Sequence, residues 1–86
     1  MSRIYSRMRM QRNLRVKLIG AGSQGIPHSK LTQQCKTRLF SIDDIIEILE
    51  EWREKGFVQK FVTKPSHSKR PVTVWRATQL ILGLRI

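Results

Sequence analysis

The stretch "SIDDIIEILEEWREKG", residues 41–56, constrains the chain more than any other. Ser41 and Asp44 stand in the spacing of a capping box, in which each side chain satisfies a backbone N–H that the helix start leaves open. Asp43 and Asp44 also suit the positive end of a helix dipole. Ile42, Ile45, Ile46, Leu49 and Trp52 recur at spacings of three and four, so they share one helical face. Gly56 falls just past the end, at the position that favours a left-handed residue. The pattern predicts a helix over 41–55 with one face to bury. The chain has 86 residues, enough for one domain with a single modest core.

The segments on either side decide what covers that face. "FVQKFVTK", 57–64, and "VTVWRAT", 72–78, are rich in β-branched and aromatic residues, and "PSHSKRP", 65–71, separates them. Two such runs across a short turn-forming loop predict a β-hairpin, with Pro65 and Pro71 marking where the ladder stops. "HSKLTQQCK", 28–36, reads as a short helix with Leu31 and Cys35 on one face and Pro27 in its first turn. Residues 1–13 are a basic arm or the start of a helix. Ile4, Met8, Gln11, Leu14 and Leu18 are near helical spacing, yet "LRVKL", 14–18, also alternates as a strand does. The overall order favours helix. The expected fold is α+β, mostly helical, with a three-helix core followed by a β-hairpin wing. Residues 1–12 are an arm or helix extension, 13–78 the domain, and 79–86 an apolar tail that forms a last strand turn or a dimer contact.

Charge narrows the partner. Seventeen Lys and Arg face six Asp and Glu, for a formal net charge of +11. All six acids lie between 43 and 54, where Arg53 is the only base, so that window carries −5 and the rest of the chain +16. Such a balance implies an anionic partner, most commonly nucleic acid. An acidic membrane surface fits less well, because no long basic amphipathic helix with bulky anchors is evident. No apolar run is long enough to span a bilayer or to serve as a signal peptide. The lone Cys35 cannot form an internal disulfide, which suggests a reduced, cytoplasmic setting, and it reads as a small, partly buried apolar residue. His28 and His67 with one Cys make no zinc pattern. No Ser/His/acid arrangement points to catalysis. The chain is expected to be a non-enzyme with no metal, no cofactor and no small-molecule substrate.

One feature points elsewhere. "GAGSQG", 20–25, matches G-x-G-x-x-G after the strand-like "LRVKL", and Asp43 or Asp44 lies about 20 residues further on, as in a dinucleotide-binding unit. Such a unit needs further parallel strands covered on both faces, and none can be placed in this sequence. Ser41–Asp44 works better as a helix cap, and 57–78 reads as an antiparallel pair without a crossover helix. A nucleotide-binding fragment therefore stands as an alternative.

The order helix, connection, helix, turn, helix, hairpin, with "LEEWREKGFVQKF" followed by "SKRPVTVWRAT", resembles the winged helix-turn-helix family of DNA-binding domains over roughly residues 10–78. "EKGFV" is similar to the end of that family's last helix, and "WRAT", 75–78, to the return strand of its wing. The Gly-rich segment before "IPHSKL" is similar to the connection into its second helix. The resemblance implies a recognition helix at 41–55, a wing at 57–78, and a role in transcriptional control or in the replication or maintenance of a mobile element.

The implied DNA contacts fall in three groups. The turn before the third helix offers Lys36, Thr37, Arg38 and Ser41, with Lys30, Gln33 and Gln34 on the helix before it. The wing offers Lys64, His67, Lys69 and Arg70, with Arg76 on its return strand; a solvated basic loop is the plainer reading of these residues. Arg3, Arg7, Arg9 and Arg12 could add backbone contacts. The recognition helix itself is acidic, with Asp43, Glu47, Glu50 or Glu51, and Glu54 in a row opposite the apolar stripe. Phosphates would repel that row, since only an isolated carboxylate finds a cytosine donor. Deep insertion of the whole helix is therefore not expected. The row could instead dock a basic partner, including a second copy, or simply face solvent. Trp52 and Trp75 could each stack on a base, but core packing fits both better. Double-stranded DNA is the expected partner, and a homodimer reading two half-sites is compatible with the fold.

Overall fold

The computed structural model describes residues 3–64 and 70–85, with side chains from Arg7 onward. In chain order these form helix α1 (Arg3–Ala21), a 3-10 turn (Gly22–Gln24), strand β1 (Ile26–Pro27), helices α2 (His28–Cys35) and α3 (Ile42–Glu54), strands β2 (Val58–Thr63) and β3 (Val72–Ala77), and a second 3-10 turn (Gln79–Gly83). The architecture is the expected α+β one, mostly helical, with a three-helix core followed by a β-hairpin.

Residues 14–18 show why a helix prevails over a strand. A strand would bury Leu14, Val16 and Leu18 together. Leu14 and Leu18 are fully buried, while Val16 is 65% exposed, so the period is four and not two. The buried edge of α1 runs through Met10, Leu14 and Leu18, and Met8, expected inside, is exposed. The segment 3–12 is accordingly a continuation of α1 and not a separate arm.

The helix read from 41–55 has the predicted ends. Ser41 N–H donates to Asp44 Oδ2 at 2.9 Å and Asp44 N–H to Ser41 Oγ at 3.4 Å, closing the capping box. Phe57 N–H reaches Trp52 O and Gly56 N–H reaches Arg53 O, the paired bonds of a Schellman end, with Gly56 at φ +84°. The buried face is Ile45, Ile48, Leu49 and Trp52; Ile42 and Ile46 are only half-buried, so the stripe is rotated slightly from the expected one.

The sheet has the order β1-β3-β2, antiparallel throughout. Trp75 sits at its centre, beside Ile26 on β1 and Lys60 on β2. Both tryptophans are core residues, Trp75 at 0% exposure and Trp52 at 2%. The Trp75 indole donates to His28 Nδ1 at 2.9 Å. An indole N–H can only donate, so that nitrogen carries no proton and the proton of neutral His28 lies on Nε2. This bond joins the first turn of α2 to the middle of the sheet. Replacing His28 by Ala strands a buried donor and should cost about 1–3 kcal/mol. A thermal melt of His28→Ala, alone and with Trp75→Phe, checks this, because the second change removes the stranded donor. An unchanged melting temperature in the single variant would show that the bond contributes nothing.

The C-terminal stretch forms neither an added strand nor a free tail. Ile81 is 1% exposed within the core, Leu84 packs against it, and an Arg15 guanidinium N–H donates to Leu84 O at 2.9 Å. Leu80 and Leu82 remain exposed.

The glycine motif follows a helix, where the dinucleotide reading needs a strand. Gly20 is itself helical, and Asp44, one of its two candidate ribose ligands, is committed to the α3 cap. The bend begins later than the sequence suggests, at Gly22 and Gly25, both with positive φ. Pro27 is the N-cap of α2, one step before the first turn expected for it.

Candidate nucleic-acid interface

The turn between α2 and α3 is closed by a single side chain. Thr37 Oγ1 accepts from Leu39 N–H at 3.2 Å and Phe40 N–H at 3.1 Å, while Thr37 N–H donates to Phe40 O at 3.0 Å. Phe40, 4% exposed, anchors the turn in the core. Lys36, Arg38 and Leu39 are left exposed on its outside. Of the expected base readers here, Ser41 is committed: its hydroxyl accepts from Asp44 N–H and donates to Asp44 Oδ2 at 3.1 Å. Thr37 acts as an acceptor twice, which leaves its own O–H to donate.

The outer side of α2 extends this surface. Lys30, Gln33 and Gln34 are exposed, opposite the buried Leu31, Thr32 and Cys35. Burial pushes the Cys35 thiol pKa up, with Lys17 opposing, so the group stays a neutral core residue. On the other flank, Arg9 and Asn13 of α1 face Thr37, Arg38 and Leu39 across a groove of about 740 Å³, with Met10 and Phe40 at its base. No acid lines this groove.

The four arginines of the N-terminal segment have different fates. Arg9 reaches the groove. Arg7 pairs with Glu51 at 3.1 Å and ties α1 to α3. Arg12 is exposed and engaged within the protein. The Arg3 side chain lies outside the described residues, as do His67 and Lys69 of the hairpin loop. Lys64 and Arg70 are exposed at the two ends of that loop. Arg76 stands apart from them. It bonds Gln59 Oε1 and stacks over the Phe61 ring at 5.3 Å, on the sheet face opposite Trp75. The Gln59–Arg76 pair lies four residues along β2 from the Thr63–Val72 pair at the loop, or about 13 Å.

The acidic row is not uniform. Glu50 accepts from Arg53 at 2.7 Å and Lys60 at 3.0 Å, and Glu51 from Lys55 at 3.0 Å and Arg7 at 3.1 Å. Hydrogen bonds from Arg53 and then Lys60 hold the Glu50 carboxyl below the usual range, and Lys55 does the same for Glu51. Asp44 is spent on the cap. Asp43, Glu47 and Glu54 are exposed and make no ion pair among the described residues. The row read from the sequence as one patch is thus two populations, one neutralised internally and one facing outward. The pairs with Arg53 and Lys55 follow helical spacing, whereas those with Arg7 and Lys60 are not visible in the sequence, because these bases come from distant segments. Leu39 and Asn13 also escaped notice, since nothing in the pattern distinguishes them from ordinary surface residues.

Among the described residues no three His, Cys, Asp or Glu side chains gather as a metal site, and no helix is long and apolar enough to cross a membrane. The fold and surface define a small α+β protein with Arg9, Lys30, Lys36 and Arg38 on the α2–α3 turn and its flanks. No protein-family model, curated protein or solved structure matches this chain.

Proposed function

We propose that this is a DNA-binding protein of the winged helix-turn-helix type, without catalytic activity, that holds duplex DNA mainly by its phosphates. The α2–α3 turn with the outer side of α2 supplies the central contacts, Arg9 a flanking one, and Lys64 and Arg70 those of the wing. The observation that carries this reading is the pairing of Glu50 and Glu51 with four bases. It offsets two of the six carboxylates of the acidic third helix, and no acid lines the groove that holds Arg9 and Arg38. Transcriptional control and the replication or maintenance of a mobile element are the roles such a protein would serve.

A mobility-shift titration with duplex, single-stranded and RNA probes at two salt concentrations tests it. Duplex binding should be tightest and should weaken steeply with salt, because each neutralised phosphate releases counterions. The Lys36→Ala/Arg38→Ala protein should bind about tenfold more weakly, with a salt slope lower by about two. Tighter binding to RNA, or an unchanged slope in the double variant, would reject the reading.

The outward-facing Asp43, Glu47 and Glu54 favour a second reading, in which the α3 face docks a basic protein. Their reversal to Lys separates the two.

A further inference from the structure

The groove beside the α2–α3 turn has an apolar component that phosphate binding does not use. Its base is closed: Met10 and Phe40 are each only 4% exposed. The accessible apolar surface there belongs to Leu39, which is 65% exposed and stands outside the core cluster. The feature is therefore a projection and not a pocket. It is also held in place. Thr37 fixes the Leu39 N–H directly, and buried Phe40 pins the next residue. Beside the projection stand Arg38 on the turn itself and Arg9 and Asn13 across the groove, and exposed Lys36 begins the turn.

An apolar tip on a hydrogen-bonded turn, flanked by Arg9 and Arg38, suits a partner that is anionic around a narrow recess. Duplex DNA offers that chemistry: phosphates border the minor groove, and flexible pyrimidine–purine steps open to admit an apolar wedge. A protein with a hydrophobic pocket rimmed by acids is the other partner such a tip could meet. Net charge favours the duplex, since +16 lies outside the acidic window of the chain and extends well beyond this turn.

The geometry points to Leu39 as an apolar wedge that enters the minor groove at a deformable base step and kinks the duplex, while Lys36 and Arg38 hold the flanking phosphates. This inference rests on the DNA-binding reading above and adds to it a mode of contact and a sequence preference.

The test uses end-labelled duplexes carrying a central TA step or a stiff A-tract, read by energy transfer between the ends, with wild type, Leu39→Ala and Leu39→Gln. Wild type should shorten the end-to-end distance and prefer the TA duplex. Both variants should lose the bend and the preference and bind the TA duplex about tenfold more weakly. Their salt slope should stay at the wild-type value, because no phosphate contact is touched. Unchanged circular dichroism would confirm that the turn survives, and Leu39→Gln keeps the bulk while removing the apolar surface.

Three results overturn the wedge and leave DNA binding standing: wild type that binds without bending, variants that bend and bind like wild type, and variants whose salt slope falls with their affinity. The second would assign the tip to a pocket on a protein. Wild type that binds neither duplex at low salt overturns the DNA-binding reading and the wedge together.

Discussion

Replacing Gly25 by Ala is expected to lower stability by about 2–6 kcal/mol, whereas Gly20→Ala, within the same motif, should raise it. Gly25 has φ +74° and ψ −174°, a conformation close to glycine-only. An added Cβ would stand 2.7 Å from the Trp75 carbonyl oxygen and 2.7 Å from Val74 Cγ1. Backbone strain of about 1–3 kcal/mol then adds to overpacking of about 1–3 kcal/mol. Neither neighbour can give way, because Val74 and Trp75 are paired to β1 and β2 on both sides. For a chain of this size the melting temperature should fall by roughly 10–50 °C. Gly20 lies within α1 with open space around its Cβ position, so alanine there should gain about 0.5–1 kcal/mol in helix propensity. Thermal denaturation followed by circular dichroism checks both. A Gly25→Ala protein that melts within a few degrees of wild type would disprove the close approach of β1 to β3. A melting temperature raised by NAD in wild type, and not in Gly22→Val, would restore the phosphate-cradle reading of the motif.

These two glycines also show what the sequence could and could not say. Spacing alone gives Gly20, Gly22 and Gly25 equal weight. Only the partner strand, distant in sequence, makes one of them indispensable and another replaceable. The same holds for α1: the alternation of Leu14, Val16 and Leu18 fits a strand locally, and the core that α2, α3 and β3 present selects the helical period. Elements whose ends are fixed by their own residues were legible at once. Ser41, Asp44 and Gly56 delimit α3 without reference to anything outside it. The hairpin was equally plain, since its strands and its proline-bounded loop are adjacent in the chain.

The site was less legible because it depends on which charges meet. The sequence shows six acids on one helix and arginines on another, and Arg7 could pass for a phosphate ligand as readily as Arg9. Their separation arises because the Arg7 side chain meets Glu51 of α3, while Arg9, on another side of α1, reaches the groove. Ser41 and Arg76 show a related effect. Each has a donor or acceptor suited to DNA, and each also bonds a neighbour, Asp44 in one case and Gln59 in the other, which the sequence does not announce.

The strongest gain in DNA affinity should come from reversing the acids that stay outside this internal pairing. Asp43→Lys/Glu47→Lys/Glu54→Lys raises the net charge by six without disturbing the bonds of Glu50 or Glu51 or the Ser41–Asp44 cap. At low salt, duplex affinity should rise about a hundredfold or more, as the field at the bound phosphates changes sign along α3. The single variants should differ. Asp43 lies in the first turn of α3, next to the DNA-facing turn, and Glu54 is about 16 Å further along the axis. That distance exceeds the screening length of about 8 Å at physiological salt. Asp43→Lys should therefore keep much of its effect as salt rises, and Glu54→Lys should lose nearly all of it. Asp43→Lys also removes a favourable dipole contact, at a cost of about 0.3–1 kcal/mol, so the melts of all four proteins belong beside the binding curves. A flat response at low salt would place the α3 face well away from the DNA and leave it open to a basic protein partner. A loss of affinity would mean that these carboxylates accept hydrogen bonds from cytosines, and α3 would then enter the groove despite its charge. The size and order of the single-variant effects would thus measure how α3 sits over the duplex.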